Sequence, residues 1–215
     1  MEQSGEDNYP QKSRINNIHI TMDQLSNISK IIRKRQQSLK HPVLIAIDGR
    51  SGVGKSTIAD QLAAELNGVV IKGDDFFSGG TNDDWRNRTT QEKVDLVIDW
   101  RKLRREAIEP LLAGKAASWH SFDWVTWQGL AADEISMGPT SYILIDGIYS
   151  NRSEFDDLVD FSILVVAPED QRLLRLINRE TAEYMEDWHQ IWDEAEDYYF
   201  SKIRPRESFD FILMN

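Results

Sequence analysis

Apolar and polar positions alternate along this chain in blocks that change period. Val43 to Ile47 is a continuous apolar run, the signature of a strand buried on both faces. Ser56 to Leu66 then turns helical in period and stops at Asn67-Gly68. Val69–Lys72, Ser141–Gly147, Phe161–Val166 and Phe209–Met214 are further short apolar runs and are predicted as strands, the last at a sheet edge. Between them, helical spacing is read from Thr89 towards Leu112, from Glu169 to Glu180 and from Ala182 to Lys202. Pro110 is expected to interrupt the first of these. Before the first strand, Met22, Leu25, Ile28 and Ile31/Ile32 predict a helix with Thr21 as its N-cap. Ser78–Arg88, rich in Gly, Asn and Asp, reads as a loop, and Ala117–Trp127 as a strand or hairpin. Strands alternating with helices predict an α/β fold with a mostly parallel sheet of five strands, helices on both faces and a small helical lid near 172–190. Residues 1–40 are read as an extension carrying one helix, and 41–215 as the main domain.

Candidate chemistry concentrates between the first strand and helix. Gly49-Arg50-Ser51-Gly52-Val53-Gly54-Lys55-Ser56 fits G-x-x-x-x-G-K-[ST] at each fixed position. Glycines let backbone N–H groups converge on phosphate oxygens, and the helix N-terminus that follows adds positive potential. Gly49, Ser51, Gly52, Val53, Gly54, Lys55, Ser56 and Thr57 are therefore candidate contacts for a nucleoside triphosphate, with Lys55 on the β- and γ-phosphates and Ser56 on Mg²⁺. Asp146 ends a run of apolar residues, where a carboxylate beside such a loop can also organise Mg²⁺.

Composition changes this picture only at the edges. Thirty-six acidic against 25 basic residues give a net charge of −11, which argues against nucleic acid as the main partner. Absence of cysteine excludes disulfides and thiolate metal sites. Without a signal pattern or an apolar run of spanning length, a cytoplasmic location with no membrane partner is expected. Homo-oligomerisation is left open.

In order along the chain, several stretches resemble the uridine kinase and nucleoside kinase branch of the P-loop kinases, related to nicotinamide riboside kinase, pantothenate kinase and phosphoribulokinase. They are the phosphate loop, Asp74-Asp75-Phe76-Phe77, Gly114-Lys115 followed by Phe122-Asp123-Trp124-Val125-Thr126, Ile145-Asp146-Gly147-Ile148, and Asp170-x-Arg172-Leu173-x-Arg175-x-x-x-Arg179-Glu180. The resemblance implies a P-loop NTPase fold and transfer of phosphate from Mg-ATP to a hydroxyl of a nucleoside or similar small molecule. It implies Asp74 as the base and a Mg²⁺ contact, with Asp75 as its competitor, and Lys55, Arg175 and Arg179 on the phosphates. Asp99 falls where the branch places a ribose-binding acid, and Asp123 is a candidate for the acceptor hydroxyl. Phe122 and Trp127 stand where uridine kinases place Tyr and His, so the polar reading of uracil is lost there and stacking remains. Kinase chemistry on another acceptor, such as pantothenate, a sugar or an antibiotic-like alcohol, is the first alternative. An ATP-binding regulator is the second.

Overall fold

The computed structural model describes residues 22–179 and 182–215; the side chains of Met22, Arg179, 182–188 and Gln190 are outside that description, as is Thr21. Helix α1 (Met22–Gln36) leads into β1 (Val43–Asp48), the phosphate loop and α2 (Lys55–Leu66). Strand β2 (Val69–Lys72) follows, then a 3₁₀ turn (Gly73–Phe76), α3 (Asn82–Arg86), α4 (Thr90–Leu96) and α5 (100–112). The antiparallel hairpin of β3 (Ala117–Phe122) and β4 (Leu130–Met137) precedes β5 (Tyr142–Asp146) and β6 (Phe161–Val166). Helices α6 (Glu169–Arg179) and α7 (Ala182–Tyr198), a π-type turn (Tyr199–Ile203) and β7 (Phe211–Met214) complete the chain.

Five strands form a parallel sheet in the order β2-β5-β1-β6-β7, with β7 at an edge as expected. Because β1 is central, all six of its residues are buried, which is why it reads as an unbroken apolar run. Its side chains alternate between layers. Val43, Ile45 and Ile47 meet α1 and α2 through Leu25, Ile28, Ile32, Ile58 and Leu62, while Leu44 joins Trp85, Trp119, Ile191 and Tyr199 on the other face. Register brings Ile47 and Lys72 level with Asp146, so the chain segments leaving β1, β2 and β5 emerge side by side at the carboxyl edge. In open α/β sheets that edge, where strand order reverses, is where ligands bind.

Two expectations need correction. Ser78–Arg88 is not all loop: Thr81 and Asp84 form a capping box that starts α3 and buries Trp85, whose indole donates to the Gly79 carbonyl. Instead of breaking at Pro110, the helix predicted from Thr89 stops after Leu96. There Ile98 pairs with Phe77, and the Asp99 amide donates to the Phe76 carbonyl. Pro110 falls in the first turn after the wide turn Leu103–Ile108, a position that tolerates a missing N–H. Asp74 and Asp75 lie in the 3₁₀ turn that follows β2. Among the described residues no helix is long and apolar enough to cross a membrane.

Candidate active site

The phosphate loop is held by its own Lys55 and by side chains of remote elements. Lys55 Nζ donates to the Arg50 carbonyl (3.0 Å), Arg172 to the Ser51 carbonyl (3.3 Å), and Arg175 (3.1 Å) and the Asn215 amide (2.7 Å) to the Val53 carbonyl. With these carbonyls taken up, the loop is suited to an anion. Gly54, the N-cap of α2, has φ +92, and a Cβ there would run into the Asn215 amide. At Gly49, a Cβ would overlap the Val165 carbonyl. Neither position admits a side chain.

Helix α7 provides a second hold. Its face Asp193, Glu196, Asp197 surrounds Arg50, with N···O distances of 3.6, 3.1 and 2.9 Å. Glu196, buried, also accepts the Ser51 hydroxyl at 2.7 Å. Arg172, buried too, is bound to Glu169 at 2.6 Å and lies 3.8 Å from Asp193. Arg172 thus fastens α6 to the loop, whereas Arg175 lines the cavity. The Arg179 side chain lies outside the described residues.

Beneath the loop, Asp48 at the end of β1 is entirely buried and accepts four hydrogen bonds. Donors are the amides of Gly49 (2.8 Å), Tyr149 (3.0 Å) and Asn151 (3.0 Å) and the Tyr199 hydroxyl (2.8 Å). Burial pushes its carboxyl up to about 6, against the opposing effect of these donors and of Lys55. Tyr149 has a left-handed backbone (φ +65) that these bonds hold in place.

A cavity of about 870 Å³ opens in front of the loop. At one end are Gly52, Gly54, Lys55, Ser56, Thr57 and Arg175; the mutually packed rings of Phe77, Trp85, Trp124, Trp127 and Trp192 form another part of the wall, and Asp74, Asp146 and Tyr149 line it too. Asp146 is buried, which raises its carboxyl, and the Ser56 hydroxyl and Lys55 work against that rise. Its Oδ1 has no hydrogen-bond partner. A buried orphan oxygen beside a hydroxyl and facing a phosphate loop fits a cation. Among the described residues no cluster of three or more His, Cys, Asp or Glu could hold a metal alone, so Mg²⁺ here would depend on phosphate oxygens.

Of the other sequence candidates, Asp74 and Trp127 line this cavity and Phe122 lines only an adjoining one. Asp75 is turned aside: its carboxylate accepts the Trp119 indole at 3.0 Å, and burial raises its pKa. Asp99 is exposed and caps α5 by accepting the Lys102 amide. Asp123 is used in its own turn, where the Thr126 hydroxyl, then the Thr126 and Val125 amides, lower its pKa. Neither Asp99 nor Asp123 lines the cavity. Sequence reasoning gave no role to Asp48, Glu196, Trp85 or Tyr149, and read Trp192 as packing. For Asp48 a signal existed, since Ile-Asp-Gly occurs at both 47–49 and 145–147.

Strand order, loop and strand-end carboxylates define a P-loop nucleotide-binding domain. A family model described as "AAA domain" matches residues 45–198, and the chain belongs to that family. The uridine kinase of Halobacterium salinarum is 26% identical over 170 residues, covering 75% of this chain and 71% of that protein. In fold, the chain is similar to the structure of "a Possible Uridine Kinase" from Bacillus stearothermophilus, with TM-score 0.63, 20% identity and coverage of 88% and 99% of the two chains. D-glycerate 3-kinase from Cryptococcus neoformans shares the fold at TM-score 0.55 and 10% identity, covering 89% and 95%. The chain thus has a P-loop nucleotide-binding fold, similar to that of small-molecule kinases.

Proposed function

We propose that this chain transfers the γ-phosphate of ATP to a hydroxyl of a nucleoside or nucleoside-like acceptor, in the manner of a uridine kinase. One observation carries the reading: Lys55, Ser56, Asp146, Asp74 and an aromatic wall line a single cavity. In the proposed reaction the acceptor oxygen attacks Pγ in line, its bond to the β-γ bridging oxygen breaks, and Asp74 takes the acceptor's proton as ADP leaves. Lys55, Arg175 and Arg179 would offset charge on the phosphates. Bound Mg²⁺ would neutralise phosphate charge, held by Ser56, Asp146 and Asp74.

A second reading keeps the chemistry and changes the acceptor to a non-nucleoside alcohol. It is favoured by Asp99 and Asp123, whose carboxylates are spent on a helix cap and a turn and are not offered to a ribose diol. Measuring ADP formation with Mg-ATP across nucleosides, vitamins and sugars separates the two. Turnover confined to nucleosides supports the first, turnover confined to other alcohols the second, and none with any acceptor removes both.

A further inference from the structure

The cavity does not end at Trp127. A second chamber of about 630 Å³ lies beyond it, and Phe77, Gly80, Asn82 and Trp127 line both spaces. Their chemistry differs. The main cavity carries Lys55, Arg175, Asp74, Asp146 and Glu196, whereas no residue lining the second chamber is ionisable, in a chain that is 28% charged. Its polar groups are hydroxyls and amides, including Ser78, Thr81, Thr126 and Gln128, set beside the rings of Phe77 and Phe122.

Trp127 sits at the seam under strain. Its backbone has φ +56, a left-handed conformation costly for a bulky residue. The turn imposes it: the Trp127 amide donates to the Asp123 carbonyl at 2.8 Å, and the Asp123 carboxylate holds the amides of Val125 and Thr126, two of the three residues between. Its ring stands edge-on to Trp124 (5.1 Å, 88°), which stacks on Phe77 (5.0 Å, 25°). Half of Trp127 stays exposed although a cluster of rings is at hand to bury it.

We propose that the acceptor is a two-part molecule. Its reacting hydroxyl lies by Asp74, and a neutral tail bearing amide or hydroxyl groups passes Trp127 into the second chamber. Nine of that chamber's twelve lining residues are exposed and none offers a charged tail a counter-ion, whereas a neutral amide finds the Ser78 hydroxyl, the Gln128 amide and ring faces. This rests on the kinase reading and deepens its acceptor side.

The test uses a matched pair sharing one reactive hydroxyl, pantothenate with its carboxylate tail and N-propylpantothenamide with a neutral tail, beside tailless uridine. The expected result is a kcat/KM for ADP formation at least tenfold higher for the amide than for the carboxylate. Ser78→Phe, which fills the second chamber, is expected to lower the amide-to-uridine ratio at least tenfold. Equal values for the matched pair, or an unmoved ratio in Ser78→Phe, would overturn the proposal. If none of the three yields ADP, the nucleoside reading loses support and tryptophan fluorescence decides the tail separately. Quenching by the amide but not by pantothenate, lost in Ser78→Phe, supports the second chamber; quenching by neither, or by both equally, overturns it.

Discussion

The two ends of the cavity are built by opposite means. At the phosphate end, backbone does the binding, and its geometry is imposed by bonds from Lys55, Arg172, Arg175, Glu196 and Asn215. At the end proposed for the acceptor, side-chain rings form the wall, held mostly by contact with one another. An anion of fixed shape can be met by a fixed loop. Rings, by contrast, set the shape and polarity of an acceptor without specifying its hydrogen bonds, so one fold can serve many alcohols.

The most severe test of the phosphate end is Lys55→Ala. Loss of that cation is expected to lower kcat by roughly a thousandfold or more in an ADP-release assay. Asp74→Asn tests the proposed base and should cut turnover by about 10²- to 10³-fold while nucleotide affinity, read by calorimetry, stays within about twofold. Asp75→Asn should do far less, because that carboxylate is engaged with Trp119; the reverse ranking would exchange the two roles. Glu196→Ala leaves Arg50 with only the partly exposed Asp193 and Asp197. A stability loss of roughly 1–3 kcal/mol in urea titration is expected, together with weaker nucleotide binding. Should nucleotide bind more tightly instead, removal of negative charge outweighs loss of the hold, and the contrast between the two ends weakens.

A pH dependence beneath the loop adds a further effect. Asp48 titrates near 3.8 when unfolded and about 6 when folded, so between these values the unfolded chain releases its proton first. Stability from this group is therefore present in full below pH 3.8 and falls as pH rises through about 6. The change is of the order of 2–3 kcal/mol for a fully buried group. Asp48→Asn should flatten that part of the curve in denaturation measured from pH 4 to 7, and an unaltered slope would place the titration elsewhere.

What could be read in advance follows the same division. The phosphate loop, α2 and β6 are local in origin: glycine spacing, apolar runs and the Asn67 stop act within a few residues, and β6 covers the Phe161–Val166 run as read. Asp146 was legible because it ends such a run. Asp99 and Asp123 were not, because an acid next to a helix start or within a tight turn is drawn to the nearest amides, and the carboxylate alone cannot say which use prevails. The break before Asp99 was hidden because Ile98 bonds to Phe77, a partner from another element. Trp85 and Trp192 became cavity residues only through the packing of α3 on α7, with ring centroids 5.2 Å apart.

Asp48 has a consequence for motion. By accepting the amides of Tyr149 and Asn151 it ties the segment after β5 to the base of the phosphate loop, and Tyr199 extends the tie beyond α7. None of these bonds can open without exposing a buried carboxylate, so they should open together or not at all. Hydrogen–deuterium exchange would then show the Tyr149 and Asn151 amides exchanging as slowly as those of central strand β1. The exposed Val125 and Thr126 amides, held by Asp123 at the hairpin tip, should exchange orders of magnitude sooner, setting a rigid floor beside a rim that can yield.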